Sequence, residues 1–152
     1  ASIAEAFKAK VIYSSPSGSA PQKGYCQVDL DTLYRRSDII SVHAPLNQYT
    51  ENLIDKTAFS NMKKSCIFLN LGRGPIVSEQ DLYDALEQGD ICAAGLDVLC
   101  KEPMAPDNPL LSIKDSRKLF ITPHVGWASV EARTRLMDII LGQVRDFFNP
   151  VL

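Results

Sequence analysis

Apolar residues along this chain fall into short unbroken runs, and the stretches between them carry helical periodicity. The clearest run, Cys66-Ile67-Phe68-Leu69-Asn70-Leu71, reads as a strand buried on both faces, as in a parallel sheet. It stops at Gly72-Arg73-Gly74-Pro75, where the backbone must turn tightly or admit a close neighbour. Ser78-Glu79-Gln80-Asp81 then has the pattern of a capping box opening a helix to about Gln88, with Leu82, Ala85 and Leu86 on one face and Gly89 as its stop. Four further runs predict strands: Lys10 to Tyr13, Asp38 to Val42, Ile91 to Val98, and Leu119 to Thr122. Helices are predicted over the alanine-rich start, where Ile3 and Phe7 lie one turn apart, over Asp31 to Arg36, and from a cap at Asp55 through Met62. From Ser129 onward Leu136, Ile140, Val144 and Phe147 form a stripe that Met137, Leu141 and Phe148 widen, so the longest helix has a face broad enough to need cover. Strands alternating with helices predict an α/β fold with a doubly wound parallel sheet and right-handed crossovers. Residues 14 to 21 are a loop by composition, and Cys100 to Lys118, with three prolines, is a long loop of the kind that tends to carry function.

Composition narrows the class of partner. A chain of 152 residues that is 45% hydrophobic and 22% charged has the balance of one ordinary soluble domain. Its formal charge of −2, with scattered Lys and Arg, supplies no basic stripe for nucleic acid and no basic amphipathic face for a membrane. Cys26, Cys66, Cys92 and Cys100 form no C-x-x-C pair, and His43 and His124 lie far from them in sequence, so no metal site is expected. Three of the four cysteines fall in or beside apolar strand-like runs, where a free thiol acts as a small hydrophobe. With no apolar run of membrane-spanning length and no signal-peptide pattern, the expected location is cytoplasmic.

The candidate chemistry follows the strand ends. Arg73 comes after one strand, Asp97 with Glu102 after the next, and His124 after Thr122-Pro123. In open α/β sheets that carboxyl edge is where ligands bind. A guanidinium there can hold a carboxylate by two parallel hydrogen bonds, and a histidine beside a carboxylate makes an acid or base suited to neutral pH. Each residue also has a plainer reading: Arg73 as a surface arginine, His124 as a cap or core residue, Asp97 as a turn residue and Glu102 as a solvated acid. A further alternative makes Cys100 a nucleophile with His124 as its base.

From Ser37 to about Asn149 the chain resembles the later part of the nucleotide-binding domain of the D-isomer-specific 2-hydroxyacid dehydrogenases. The segments that carry the resemblance are Val42-His43-Ala44-Pro45-Leu46, Asn70-Leu71-Gly72-Arg73-Gly74-Pro75-Ile76-Val77, Ala94-Gly95-Leu96-Asp97-Val98 with Glu102-Pro103, and Thr122-Pro123-His124-Val125-Gly126, in family order. The resemblance implies a Rossmann-like sheet and hydride transfer between a nicotinamide cofactor, NAD or NADP, and a D-2-hydroxy acid or its 2-keto acid. It implies that Arg73 holds the substrate carboxylate, that His124 exchanges the proton at the substrate oxygen, and that Glu102 orients and charges His124. Asp97 would bind the nicotinamide carboxamide, with backbone around Ala44, Pro45, Leu71 and Gly126 lining the dinucleotide.

Two departures from the family pattern shape the expectation. The chain starts inside the helix that the family's G-x-G-x-x-G turn precedes, so the fold is expected to be incomplete at its N-terminal βα unit. Residues 1–127 would then be a partial dinucleotide-binding domain and residues 128–152 a helix packing toward an absent substrate domain. An upstream segment or a second chain would supply the missing strand, the chain alone would be inactive, and the whole protein would be a homodimer. Secondly, Ser15 stands about where the family's ribose-binding acid falls; without that carboxylate nothing repels a 2′-phosphate. A non-catalytic relative that binds dinucleotide and partner proteins is the alternative reading.

Overall fold

The structure, a computed structural model, describes residues 1–15 and 24–148. Residues 16 to 21 of the expected loop lie outside the described residues. The sheet is built from β3 (Ile39–Val42), β4 (Ile67–Asn70), β5 (Ala93–Leu96) and β6 (Leu119–Ile121), all parallel and in the order β3-β4-β5-β6. Two helices, α3 (Lys56–Ser60) and α4 (Glu79–Gln88), lie in the crossovers before and after β4. Every strand therefore ends on the same edge of the sheet. The chain begins with α1 (Ser2–Ala6), then β1 (Ile12–Tyr13), β2 (Cys26–Gln27) and α2 (Leu30–Arg36), and closes with α5 (Val130–Phe148).

One face of the sheet carries the core. Ile40 and Val42 of β3, Phe68 and Asn70 of β4, and Ala94 and Leu96 of β5 are buried with Ala58 and Phe59 of α3 and Leu82, Ala85 and Leu86 of α4. Phe59 meets Phe68 edge to face, with ring centroids 5.4 Å apart. The other face is open: Ile39 is 61% exposed and Phe120 70%, and Ile67, the register partner of Ile39, is also exposed. This corrects the expectation that β4 is buried on both faces. Its apolar run is continuous, but the helices that pack into the core all share one side with Phe68. No residue of α1 or α5 is buried, so the broad stripe of α5 is exposed as well.

The predicted ends mostly coincide with caps. Asp55 accepts from Ala58 N at the head of α3, Ser78 accepts from Asp81 N at the head of α4, and Gly89 ends α4 in the left-handed region at φ 76°. The capping box is only half formed, however. The Asp81 carboxylate accepts from Lys56 N (3.1 Å) on the neighbouring helix, while Ser78 N donates to Ile54 O (3.0 Å). The bridge between Ile54 and Val77 brings that neighbour close enough to compete.

Strand β2 was not expected, since two residues between Gly24 and the Asp29 cap carry no readable period. It pairs in parallel with β1, Ile12 against Cys26 and Tyr13 against Gln27, as a sheet separate from β3 to β6. Only Cys66 among the four thiols is buried; Cys26, Cys92 and Cys100 are exposed residues, against the expectation of hydrophobe-like cysteines. Among the described residues no helix is long and apolar enough to cross a membrane.

Candidate active site

The exit of β4 is shaped by a residue inside the strand. Asn70, buried at 1% exposure, donates from Nδ2 to Arg73 O (3.0 Å) and accepts from Gly72 N at Oδ1 (3.1 Å). That clamp lifts Arg73 onto the surface, where its guanidinium donates to Gly72 O (2.8 Å). The next residue, Gly74, presses on the loop that leaves β5: a Cβ there would overlap the Leu99 carbonyl and Cys100 N. A residue without a side chain is required for the two strand exits to lie this close.

Glu102 sits on that second loop. Its Oε1 accepts from Leu99 N (2.9 Å), and its Oε2 lies 2.9 Å from His124 Nδ1. Both side chains are part-exposed, 36% for His124 and 39% for Glu102. The histidine bond first, and the Leu99 amide second, hold the Glu102 carboxyl below the usual range. With Nδ1 engaged by the carboxylate, Nε2 is the ring atom left to exchange a proton with a ligand.

His124 reaches Glu102 from an unusual backbone. Its φ of 53° is in the left-handed region, which costs a non-glycine residue about 1–3 kcal/mol unless its surroundings impose it. Asp97, at the end of β5 and buried, imposes it. Its Oδ1 accepts from the Thr122 hydroxyl and from Val125 N (2.9 Å), and its Oδ2 accepts from Gly126 N (2.8 Å). Burial alone would raise the Asp97 carboxyl, but these three donors outweigh it and hold the group below its ordinary value. Gly126 is the second glycine that geometry requires, since a Cβ would stand 2.9 Å from Asp97 Oδ2.

The structure thus brings Asp97, Glu102 and His124 together around a cavity of about 550 Å³, whose walls also include Leu99, Met104 and Thr122. Arg73 is on the same edge, joined to the group through the Gly74 contact with Leu99 and not through the cavity wall. Ala44 and Pro45 follow β3, exposed Leu71 follows β4, and exposed Gly126 closes the Asp97 turn. Ser15 lies two residues past β1, beyond the separate strand pair that β1 forms with β2. The residues fit the amide end of a nicotinamide, because Asp97 Oδ2 takes one hydrogen bond from the protein and keeps acceptor capacity for another.

The cysteine alternative fails on the same geometry. Although Cys100 is exposed as a residue, its sulfur turns inward and donates to Val77 O (3.6 Å); the partial burial of that sulfur, then the nearby Glu79 carboxylate, push the thiol up to about 11, against its acting as a thiolate nucleophile at neutral pH. His124, its would-be base, is engaged with Glu102. Asn70, Thr122 and Glu79 support the site in ways their place in a matched segment or a helix start did not announce. A polar residue closing an apolar strand was a usable signal for Asn70; nothing local marked the other two.

The chain is similar to known proteins over most of its length. The family described as "D-isomer specific 2-hydroxyacid dehydrogenase, NAD binding domain" matches residues 1–126. A hydroxypyruvate reductase of Blautia hydrogenotrophica is 44% identical over 149 residues, which is 97% of this chain and 45% of that protein. Among solved structures, an acyclic imino acid reductase in complex with NADPH and D-Arg superposes with a TM-score of 0.86 at 36% identity, covering 97% of this chain and 46% of the other. The NAD-complexed D-isomer specific 2-hydroxyacid dehydrogenase of Lactobacillus delbrueckii ssp. bulgaricus gives 0.86 at 28% identity, covering 98% and 48%. The chain spans less than half the length of these relatives. A match over most of its residues, on a parallel sheet that gathers His124, Glu102 and Asp97 at one edge, makes this chain a member of the D-isomer-specific 2-hydroxyacid dehydrogenases within their NAD-binding domain.

Proposed function

We propose that this chain supplies the acid–base and nicotinamide-facing half of an NAD(P)-dependent oxidoreductase that interconverts a D-2-hydroxy acid and its 2-keto acid. The observation that carries the reading is the 2.9 Å contact between His124 Nδ1 and Glu102 Oε2 at the carboxyl edge of a parallel sheet. When bound, the nicotinamide supplies or takes up the hydride. His124 Nε2 gives a proton to the ketone oxygen as the carbonyl carbon is reduced, and takes it back in the reverse direction. Glu102 stabilises the imidazolium and fixes the ring, so the proton is delivered from one direction. Exposed Arg73 binds the substrate carboxylate, and Asp97 accepts from the carboxamide with its remaining lone pair. Ala44, Pro45, Leu71 and Gly126 line the dinucleotide, and Ser15 faces its adenine ribose.

The same reading extends beyond the sheet. The unburied apolar stripe of α5 packs toward a substrate domain, and the whole enzyme is a cytoplasmic homodimer; the four free thiols accord with a reducing compartment. The test is a chimera in which residues 1–149 replace the matching segment of the Blautia hydroxypyruvate reductase. A folded chimera that reduces hydroxypyruvate with NADH or NADPH is expected. A folded chimera that binds the dinucleotide without turnover would instead favour the non-catalytic relative.

A further inference from the structure

Glu79 is an acid with no assigned task at the first position of α4, and its carboxylate is turned away from its own helix. Oε1 accepts from Cys100 N (2.8 Å) and Oε2 accepts from Asn108 Nδ2 (2.8 Å), both on the loop that follows β5. Asn108 is buried, and its own Oδ1 caps the short 3₁₀ turn Pro109–Ser112 by accepting from Leu110 N (2.9 Å). One side chain therefore ties both the start and the middle of a long loop to a helix that is itself packed in the core.

The start of that loop is where the site is set. Leu99 N and Cys100 N are consecutive amides held by two different carboxylates, Glu102 Oε1 at 2.9 Å and Glu79 Oε1 at 2.8 Å. Gly74 presses on the peptide between them, directly after Arg73. Fixing Cys100 N holds the peptide on one side of Leu99 and so restrains how the amide on its other side is turned, and that amide anchors one oxygen of Glu102 while the other meets His124. We propose that Glu79 is a positioning residue for the Glu102 and His124 pair, acting through the Leu99–Cys100 peptide and never touching a ligand. The functional consequence rests on the acid–base reading above, whereas the brace itself can be measured without it.

Four variants of the 152-residue chain separate the two arms of the brace. Glu79→Ala removes both, Glu79→Asp withdraws the carboxylate by one methylene, Glu79→Gln keeps an oxygen for Cys100 N but sets an amide against Asn108, and Asn108→Ala removes only the second arm. Two NMR readouts apply: hydrogen exchange at Leu99 N–H, and the low-field Nδ1–H resonance of His124, identified with His43→Gln because the chain has two histidines. Glu79→Ala and Glu79→Asp should speed Leu99 exchange about tenfold or more and lose the His124 resonance, while exchange at Phe68 in the core stays unchanged. Glu79→Gln and Asn108→Ala should keep the resonance. If Glu79→Ala lowers Phe68 protection too, Glu79→Asp and Asn108→Ala decide.

A His124 resonance retained in Glu79→Asp, or lost in Asn108→Ala, overturns the proposal. Loss in the expected variants alongside an inactive wild-type chimera would leave the brace standing and refute the acid–base reading instead.

Discussion

Asp97→Asn isolates what one buried carboxylate does for the turn that carries His124. In the protein Asp97 receives three hydrogen bonds, from Thr122, Val125 and Gly126, and nearly all of it is screened from water. Asparagine keeps one oxygen, enough for Thr122 and Val125, but it turns an NH₂ group toward Gly126 N–H. Leaving that donor unmet costs about 1–3 kcal/mol, and the two retained bonds lose their charge-assisted part. The turn also holds His124 at φ 53°, so weakening it lets the backbone relax and draws His124 from Glu102. At about 2 kcal/mol the expected effect on local opening is roughly 30-fold. Amide exchange at Val125 and Gly126 reads it directly, with Phe68 as the core control. Acid should act in the same way as the substitution. The folded Asp97 carboxyl lies below its ordinary value of 3.8, so its contribution is complete above that value and is lost as pH falls through the lower folded one. Exchange at Val125 and Gly126 within threefold of the parent chain, at a pH where Asp97 is ionised, would refute the assignment.

Further outcomes follow from the same geometry. In the chimera, His124→Gln should slow hydride transfer by about 10²–10⁴-fold with the cofactor Kd unchanged, and equal turnover would remove His124 from the chemistry. Ser15→Asp should shift the ratio of kcat/KM values toward NAD by restoring a charge that repels a 2′-phosphate; a strong NAD preference already present with Ser15 would place the selectivity elsewhere. Phe68→Ala should destabilise the chain by about 3–5 kcal/mol in urea unfolding, because Phe68 is completely buried against Phe59.

What could be read from the residues was whatever acts within a few positions of itself. The run at 67–70 marked its strand, Asp55 and Ser78 marked helix starts, and Gly89 marked a stop, because each signal is a local backbone preference. The order of Arg73, Asp97 with Glu102, and His124 after successive runs was also legible, since parallel strands bring all their exits to one edge. Burial of the second sheet face was not, because Ile39 and Phe120 look identical in sequence whether or not a helix covers them. Strand β2 was invisible because two residues have no period.

The meeting of Asp97, Glu102 and His124 at one edge was legible, but what holds them there was not. Arg73, Glu102 and His124 stand out as side chains whose chemistry a reaction needs. The groups that hold them are mostly backbone amides: Leu99 N on Glu102, Cys100 N on Glu79, Val125 and Gly126 on Asp97. Any residue but proline has such an amide, so its position in a sequence says nothing about which carboxylate it will meet. The separations make the point, since Glu79 and Cys100 are 21 residues apart and Asp97 and Gly126 are 29. Only packing decides such pairs, and it decides them through residues that appear inert on their own. Gly74 and Gly126 have no side chain, yet a methyl group at Gly74 would drive apart the two strand exits, and one at Gly126 would press on the Asp97 carboxylate that holds the turn. A positive φ at His124 is maintained for the same reason: the turn's amides must point inward at Asp97, and that requirement throws the imidazole outward onto Glu102.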